Sequence, residues 1–213
     1  MKALSPLACL IISTSILTPS TPQTSPQEER AKREELSAFY YNRGMKEYNK
    51  GNHAKAFQLF SKVAELGDPA VQYQIGLMYD IGIGVRRNWK QAVKWYTKAV
   101  GQGHVRAQYN LALLYNNDEF DCQNYKQAVI LFRKATQQGD KRAQAQLALA
   151  YWEGQGVPRD NVTAYAWANI QGVNSSSNKL RIAFEAKMTT EQIAKGQELS
   201  RRLSQANPRL LID

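Results

Sequence analysis

The feature that most constrains this chain is a stretch in its middle that returns every 36 residues. Two columns of small residues mark the period: Gly67, Gly103 and Gly139, and Ala92, Ala128 and Ala164. Self-similarity at a period of about 20 to 50 residues is typical of solenoids, in which each unit buries its apolar face only against its neighbours. The 213 residues are therefore predicted to form one elongated array of stacked units.

Each unit carries the pattern of two amphipathic helices, A and B. In the second unit Val71, Ile75, Gly76 and Tyr79 recur at the spacing of one face of an α-helix, and the second half of the unit behaves alike. The small residue at Gly76 fits a close crossing of the two helices. The predicted A and B helices of units two to four are 69–81 and 88–101, 105–117 and 124–137, and 141–153 and 162–172. This pattern predicts an all-α, right-handed α-solenoid of antiparallel helix pairs.

The loop between the A and B helices differs in one unit. Residues 82–85 read Gly-Ile-Gly-Val and residues 154–157 read Gly-Gln-Gly-Val, where glycine permits a positive φ. The third unit has no glycine in this loop and carries Asp118, Glu119 and Asp121 instead. Carboxylates are ligands that Ca²⁺ prefers, but their spacing matches no calcium loop. We therefore interpret the segment as a solvated acidic loop, and predict neither a metal nor another cofactor.

These motifs resemble the Sel1-like repeats, which are relatives of tetratricopeptide repeats with a longer internal loop. Leu-Gly/Ala-x-x-Tyr, Gly-x-Gly-Val and a closing Lys-Ala before a glycine carry the resemblance, which implies three Sel1-like repeats at 70–174. Residues 36–69 lack the longer loop and resemble an ordinary tetratricopeptide repeat. The tail at 175–213 is similar to the C-terminal capping helices of such arrays, and Thr189 with Gln192 predicts a capping box there.

The first residues have the composition of a secretory signal. Lys2 precedes an apolar run from Leu7 to Leu17, so we predict a signal peptide at 1–20 and a periplasmic or secreted bacterial protein. An uncleaved anchor and acylation of Cys9 are the alternatives. After cleavage we expect no stable membrane span, and Cys122 is the one thiol left, which excludes an intramolecular disulfide. The polar composition of residues 21–35 predicts a flexible tether.

Function in such an array is expected on the face that is not used for packing. In stacked arrays of the family that this chain resembles, one side of the A helices lines a concave groove. Aromatic residues and arginine are the side chains that most often anchor partners. The candidate partner-binding residues on this side are Tyr41, Tyr48, Tyr73, Asp80, Arg106, Tyr109, Asn116, Arg142 and Trp152. For the aromatic residues, packing between adjacent A helices is the alternative that the sequence leaves open.

The sequence contains no convincing catalytic arrangement. His53 and His104 have no nucleophile or carboxylate at a useful local spacing, and Ser176-x-x-Lys179 lacks the partner motifs of penicillin-recognising enzymes. We therefore predict a non-enzymatic scaffold that binds a protein or peptide partner. The alternative, prompted by a net charge of +10 that becomes +9 when residues 1–20, which include Lys2, are removed, is a binder of an anionic envelope polymer or nucleic acid. Nucleic acid is disfavoured because the cations are spread over both helices of every repeat, and the oligomeric state is left open.

Overall fold

The computed structural model describes residues 25–119, 122–170 and 176–208 of the protein. In chain order its helices are α1 (Pro26–Asn49), α2 (His53–Glu65), α3 (Pro69–Ile81), α4 (Trp89–Gly101), α5 (Val105–Asn116), α6 (Tyr125–Gln137), α7 (Lys141–Glu153), α8 (Asn161–Asn169), α9 (Ser176–Glu185) and α10 (Thr190–Ala206). The predicted signal peptide lies outside the described residues. None of the helices in this part of the chain has the length and apolar character that crossing a bilayer requires.

Successive helices pair in antiparallel fashion and stack along the chain. The pairs α1/α2, α3/α4, α5/α6 and α7/α8 form the units, and each B helix also packs against the A helix of the next unit. The predicted α-solenoid of helix pairs is confirmed. Helices α3 and α7 have the predicted bounds, and α4, α5 and α6 each differ by one residue at one end. Helix α8 ends at Asn169, before the predicted end at residue 172.

Close crossings at glycine set the distance between the two helices of a unit. A Cβ atom on Gly76 of α3 would lie 2.5 Å from Cδ1 of Tyr96 in α4. One on Gly44 of α1 would lie 2.6 Å from Cε1 of Phe60 in α2. Both rings are fully buried, so any larger residue at these glycines would displace a ring or a helix. The predicted reason for a small residue at Gly76 is confirmed.

Glutamine side chains connect consecutive units. Just beyond α4, Gln102 Nε2 donates to the carbonyl oxygen of Gly67 at 2.9 Å and to Oε1 of Gln72 at 2.9 Å. One unit later, Gln138 Nε2 donates to Oε1 of Gln108 at 2.9 Å. Gln72 and Gln108 are buried, so these bonds satisfy polar groups that would be costly to leave unpaired. Equivalent glutamine hydrogen bonds therefore recur every 36 residues and join consecutive units.

The glycine loops adopt the predicted left-handed backbone. Gly82 ends α3 with φ 79°, and Gly84 follows with φ 72°. A Cβ atom on Gly84 would lie 2.2 Å from the carbonyl oxygen of His53, because this loop rests on the start of α2. The third unit differs, since Asn117, the residue after α5, has extended backbone with φ −92°. In its acidic loop, Asp118 Oδ1 accepts hydrogen bonds from Gln123 and Tyr125.

The predicted flexible tether at 21–35 requires a correction, because residues 26–35 form the first turns of α1. Ser25 caps the helix by accepting from the backbone N–H of Glu28, whose side chain accepts from the N–H of Ser25 in return. Arg30 and Glu34 add an ion pair at a spacing of four residues. These local interactions favour a helix although the segment has almost no apolar residues to bury.

The C-terminal helices cover the fourth unit. Helix α10 packs on α8, where a Cβ atom on Gly196 would lie 2.5 Å from Cδ1 of the buried Tyr165. The capping box of Thr189 and Gln192 is present as predicted. The buried stripe of α10 contains Gly196 and Ser200.

Candidate partner-binding groove

The A helices α1, α3 and α5 line an open groove in the N-terminal half of the array. Its volume is about 690 Å³. Helix α1 contributes Tyr41, Met45 and Tyr48, and helix α3 contributes Tyr73, which are four large apolar side chains facing one space. The other lining residues are Phe60, Ala70, Val71, Gln74, Gly103, His104, Val105 and Arg106.

The groove continues toward the beginning of α1. A second depression of about 480 Å³ lies between α1, α2 and α3. It shares Tyr41, Ala70 and Val71 with the first groove, and adds Arg33 and Glu34 at its far end. An elongated ligand could therefore follow one continuous path along α1.

Tyr41 and Tyr48 form the α1 side of the groove and differ in their exposure. Tyr41 is 42% exposed and its ring lies 5.8 Å from the ring of Phe60 on the groove floor. Met45, one helical turn further, is 36% exposed. Tyr48 is half-buried because its ring packs edge-on against His53 at 4.7 Å. Tyr41 and Met45 are thus the apolar groups that water contacts most, and a ligand would gain most by covering them.

Tyr73 and Arg106 form the opposite side of the groove. The ring of Tyr73 is stacked on His104 at 4.8 Å and on Tyr96 at 5.9 Å, which fixes its orientation without burying it fully. His104 caps α5, where its Nδ1 accepts from the N–H of Ala107 at 3.2 Å. Burial, together with the charge of Arg106, lowers the pKa of His104. Near neutral pH the cation at this end of the groove is therefore the exposed guanidinium of Arg106.

Asp80 is occupied by a contact inside the array. Its Oδ2 accepts from the hydroxyl of Tyr96 at 3.2 Å, and that hydroxyl oxygen accepts in turn from Nδ2 of Asn110 at 3.2 Å. Burial raises the pKa of Asp80 above its ordinary value, because water solvates the carboxylate incompletely. This predicted site residue therefore links α3, α4 and α5, and it does not line the groove.

Tyr109 and Arg142 are in contact with each other across two units. The guanidinium of Arg142 lies 4.2 Å from the centre of the Tyr109 ring, a cation–π contact. Asp140 accepts from the same guanidinium at 2.7 Å. Tyr109 also packs near the buried Phe132 at 6.0 Å. Both predicted residues thus have partners within the array, and Asn116 is half-buried at the end of α5.

Trp152, the last predicted site residue, is covered by the C-terminal segment. Its ring stacks on Phe184 of α9 with centroids 4.2 Å apart and an angle of 11° between the planes. Phe184 is 3% exposed and belongs to the buried cluster of the cap, and Trp152 is half-buried against that cluster. Trp152 thus packs on α9 of the C-terminal segment, whereas the alternative that the sequence left open was packing between adjacent A helices.

Of the nine predicted residues, the structure brings together Tyr41, Tyr48, Tyr73 and Arg106. Asp80, Tyr109, Asn116, Arg142 and Trp152 lie outside this groove. Sequence reasoning missed His104 as a lining residue. A signal was available, because His104 occupies the helix-capping column that holds Asp68 and Asp140 in the neighbouring units. No group of three or more potential metal ligands is present in the described ranges.

Sequence comparison identifies the family. The Sel1 repeat model matches residues 35–68, 69–104, 105–140 and 141–170, which together cover more than half of the chain. The chain belongs to the Sel1 repeat family. The first Sel1 unit includes the segment that we had interpreted as an ordinary tetratricopeptide repeat; its helices are joined by residues 50–52 alone, whereas residues 82–88 join those of the second.

Solved structures of Sel1 proteins are similar to this one. The crystal structure of a Sel1 repeat protein from Oxalobacter formigenes has 27% sequence identity and a TM-score of 0.56, over 89% of this chain and 70% of that one. A protective antigen present in uropathogenic Escherichia coli strains, which displays an SLR fold, has 21% identity and a TM-score of 0.39, over 85% and 64% of the two chains. No curated protein matches the sequence significantly.

Proposed function

We propose that this Sel1 protein is a non-enzymatic scaffold that binds an extended segment of a protein partner in the groove between α1, α3 and α5. The observation that carries the proposal is the convergence of Tyr41, Met45, Tyr73 and Arg106 on one open space. Exposed aromatic rings that are already held in place lose little conformational entropy when a partner covers them. Helical repeat scaffolds typically mediate protein interactions, which supports the same assignment.

The groove chemistry favours a partner segment with an apolar side chain followed by a carboxylate. Tyr41, Met45 and Tyr73 offer an apolar contact surface, and Arg106 offers a charged hydrogen-bond donor at the adjoining end. Arginine pairs with carboxylates in a bidentate geometry. In the described part of the chain, no carboxylate forms an ion pair with Arg106. A carboxylate of the partner can therefore bind Arg106 without first displacing a carboxylate of the protein.

The proposal is tested with peptides selected from a random display library on the immobilised protein. We expect the selected sequences to combine aromatic or aliphatic residues with Asp, Glu or a free C-terminal carboxylate. Replacing both Tyr41→Ala and Tyr73→Ala should weaken binding about 100-fold, because two anchors are lost. Arg106→Gln should weaken it about 10-fold, and this loss should shrink at high salt.

The matched control is a second double substitution on the same helix as Tyr41. Leu36 and Phe39 are also large and exposed on α1, but they do not line the groove. Leu36→Ala with Phe39→Ala should leave the affinity within about two-fold of the parent, as expected for residues away from the hot spot. Equal losses in both double variants, or no loss in the first, would reject the groove as the binding site.

We also propose that the protein is exported, on the basis of the apolar run that follows Lys2. Mass spectrometry of the protein from separated cell fractions tests this. Export predicts a periplasmic or extracellular protein that has lost about 20 N-terminal residues. An intact N-terminus in the cytoplasmic fraction would contradict it.

A further inference from the structure

The outer face of the array, formed by the B helices, has a charge pattern that the groove does not use. Helices α4 and α6 contain no acidic residue, and α2 contains one, Glu65. Seven exposed lysines lie on these three helices, and one of them, Lys55, is paired with Glu47 of α1. The other six point outward: Lys62, Lys90, Lys94, Lys98, Lys126 and Lys134. We call this set the outer lysine face. A surface that only has to be soluble usually mixes acidic and basic residues. The near absence of carboxylates on these helices therefore suggests a negatively charged partner.

The repeat arranges these lysines in two dimensions. Lys62, Lys98 and Lys134 occupy the last turn of successive B helices, 36 residues apart. Along α4, Lys90, Lys94 and Lys98 recur every four residues, which places them about 6 Å apart on one side of the helix. Neighbouring packed helices lie about 8 to 10 Å apart. The charges therefore form a grid across a face, whereas a single strand of polyanion would need only a line.

The lysines of this face are not neutralised by the protein itself. Among the described residues, none of the six takes part in an ion pair. Lys62, Lys90 and Lys98 lie instead over the rings of Tyr40, Trp89 and Trp95, at 4.7, 5.1 and 4.1 Å from the ring centres. These three ammonium groups therefore lie over aromatic rings of the array, with no carboxylate of the described residues paired to them.

Apolar groups lie between the charges. Ile130 on α6 occupies the position of Lys94 on α4 and is 43% exposed. Trp89 begins α4 beside Lys90 and is half-buried. Tryptophan and basic residues together are typical of surfaces that settle among lipid headgroups, where the ring is partly buried and the charge meets phosphate.

We propose that the outer lysine face binds the surface of a bilayer rich in anionic phospholipid, so that the opposite groove stays open to its partner. A flat, densely anionic surface can contact all rows of lysines at once. A linear polymer would contact only one row, so the arrangement favours a membrane. Each lysine near an anionic membrane adds to binding by about five-fold at moderate salt. Binding is peripheral, since the described helices include no membrane-spanning one.

Cosedimentation with vesicles tests this without any peptide partner, so the result is independent of the groove proposal. The full chain is mixed with vesicles of equal parts phosphatidylglycerol and phosphatidylcholine, and with vesicles of phosphatidylcholine alone. We expect binding to the anionic vesicles only, and its loss in about 1 M NaCl, where the Debye length is about 3 Å. Failure to bind the anionic vesicles at low salt would overturn the proposal.

Two charge-matched variants locate the surface. Changing Lys62, Lys98 and Lys134 to Gln should reduce the vesicle partition coefficient about 100-fold, from three lysines at about five-fold each. Changing Lys32, Lys46 and Lys187 to Gln removes the same charge elsewhere and should reduce it by less than about five-fold. Helical content and unfolding midpoint are compared for all three proteins. Equal losses in the two variants would show that net charge alone drives binding, and would overturn the proposal.

A polyanion in solution is the competing partner. A single-stranded DNA oligonucleotide and a sulfated polysaccharide are titrated under the same conditions. If these polymers bind through the same three lysines while anionic vesicles do not, the outer lysine face recognises a polymer and the membrane proposal is wrong. If the vesicles bind and the oligonucleotide and polysaccharide bind much more weakly, the proposal is supported.

Discussion

The two ends of the A-helix face use aromatic residues in opposite ways. At the N-terminal end, Tyr41 and Tyr73 border an open groove and remain accessible to a ligand. At the C-terminal end, Trp152 is stacked on Phe184 and is half-buried against the core cluster of the cap. Both ends are built from antiparallel helix pairs, and they differ in whether another helix covers the face. An aromatic residue in a repeat column is therefore a binding candidate only where the array leaves its face uncovered.

The largest effect is expected where a ring belongs to the covered end. Phe184→Ala should lower the free energy of unfolding by about 3 to 4 kcal/mol, because Phe184 is buried and supports Trp152. Phe39→Ala at the open end should cost less than about 0.5 kcal/mol, since the Phe39 side chain is 54% exposed. Urea unfolding followed by far-UV circular dichroism measures both. Similar losses for the two variants would contradict the contrast between the ends.

Substitutions at the glycine crossings should lower the stability by an intermediate amount, similar at the two ends because both contain such a crossing. A Cβ atom on Gly76 or on Gly196 would lie 2.5 Å from a Cδ1 atom, of Tyr96 or of Tyr165 respectively. Each glycine-to-alanine change should therefore cost about 1 to 3 kcal/mol through overpacking. Gly101→Ala is the control, because no atom lies within 4 Å of its added Cβ. It should stabilise the helix by up to about 1 kcal/mol. If all three variants are equally stable in the same urea experiment, the tight crossings do not exist.

The smallest effect concerns the carboxylate of Asp80, which lies between the two ends. Its raised pKa means that the folded protein binds this proton more tightly than the unfolded chain does. Stability should therefore fall as the pH rises from the ordinary Asp pKa to the raised value in the fold, and the penalty should persist at higher pH. Asp80→Asn keeps an acceptor for Tyr96 and removes the penalty. It should be more stable than the parent at neutral pH, by less than about 1 kcal/mol because water screens this partly exposed group.

The pH dependence of the same variant supplies the check. Urea midpoints of Asp80→Asn and of the parent protein should converge as the pH is lowered below the ordinary Asp pKa, where both carry a neutral group at this position. A variant that is less stable than the parent at neutral pH would show that the ionised Asp80 stabilises the contact with Tyr96.

The regular part of the fold was predictable because one spacing repeats it. Helices α3 to α7 were predicted to within one residue, since each unit repeats the same apolar and small positions and the same caps. The start of α1 was not predicted. A run of charged residues with no apolar face was interpreted as a tether, although Ser25 and Glu28 form the capping box that begins the helix there. Local capping interactions decided that segment, and periodicity carries no information about them.

The candidate site was predictable only in part, for a physical reason. The column of Tyr48, Asp80, Asn116 and Trp152 specifies which side of each A helix a residue is on. It does not specify whether a side chain is held by a neighbour, as Tyr96 holds Asp80 and Phe184 holds Trp152. The order of the lysines along the chain also did not predict the outer lysine face. Basic residues occur on both helices of the repeats, but sorting the lysines by helix shows six on the exposed side of α2, α4 and α6 that form no ion pair with the described residues.

The central claim is that a partner segment covers the open end of the A-helix face and leaves the covered end unchanged. Hydroxyl-radical footprinting with mass spectrometry measures the accessibility of each aromatic side chain in the unaltered protein, with and without a saturating selected peptide. We predict that oxidation of Tyr41 and Tyr73 falls when the peptide binds, while oxidation of Trp152 stays the same because Phe184 already covers it. Protection of Trp152, with Tyr41 and Tyr73 oxidised as in the free protein, would contradict the account.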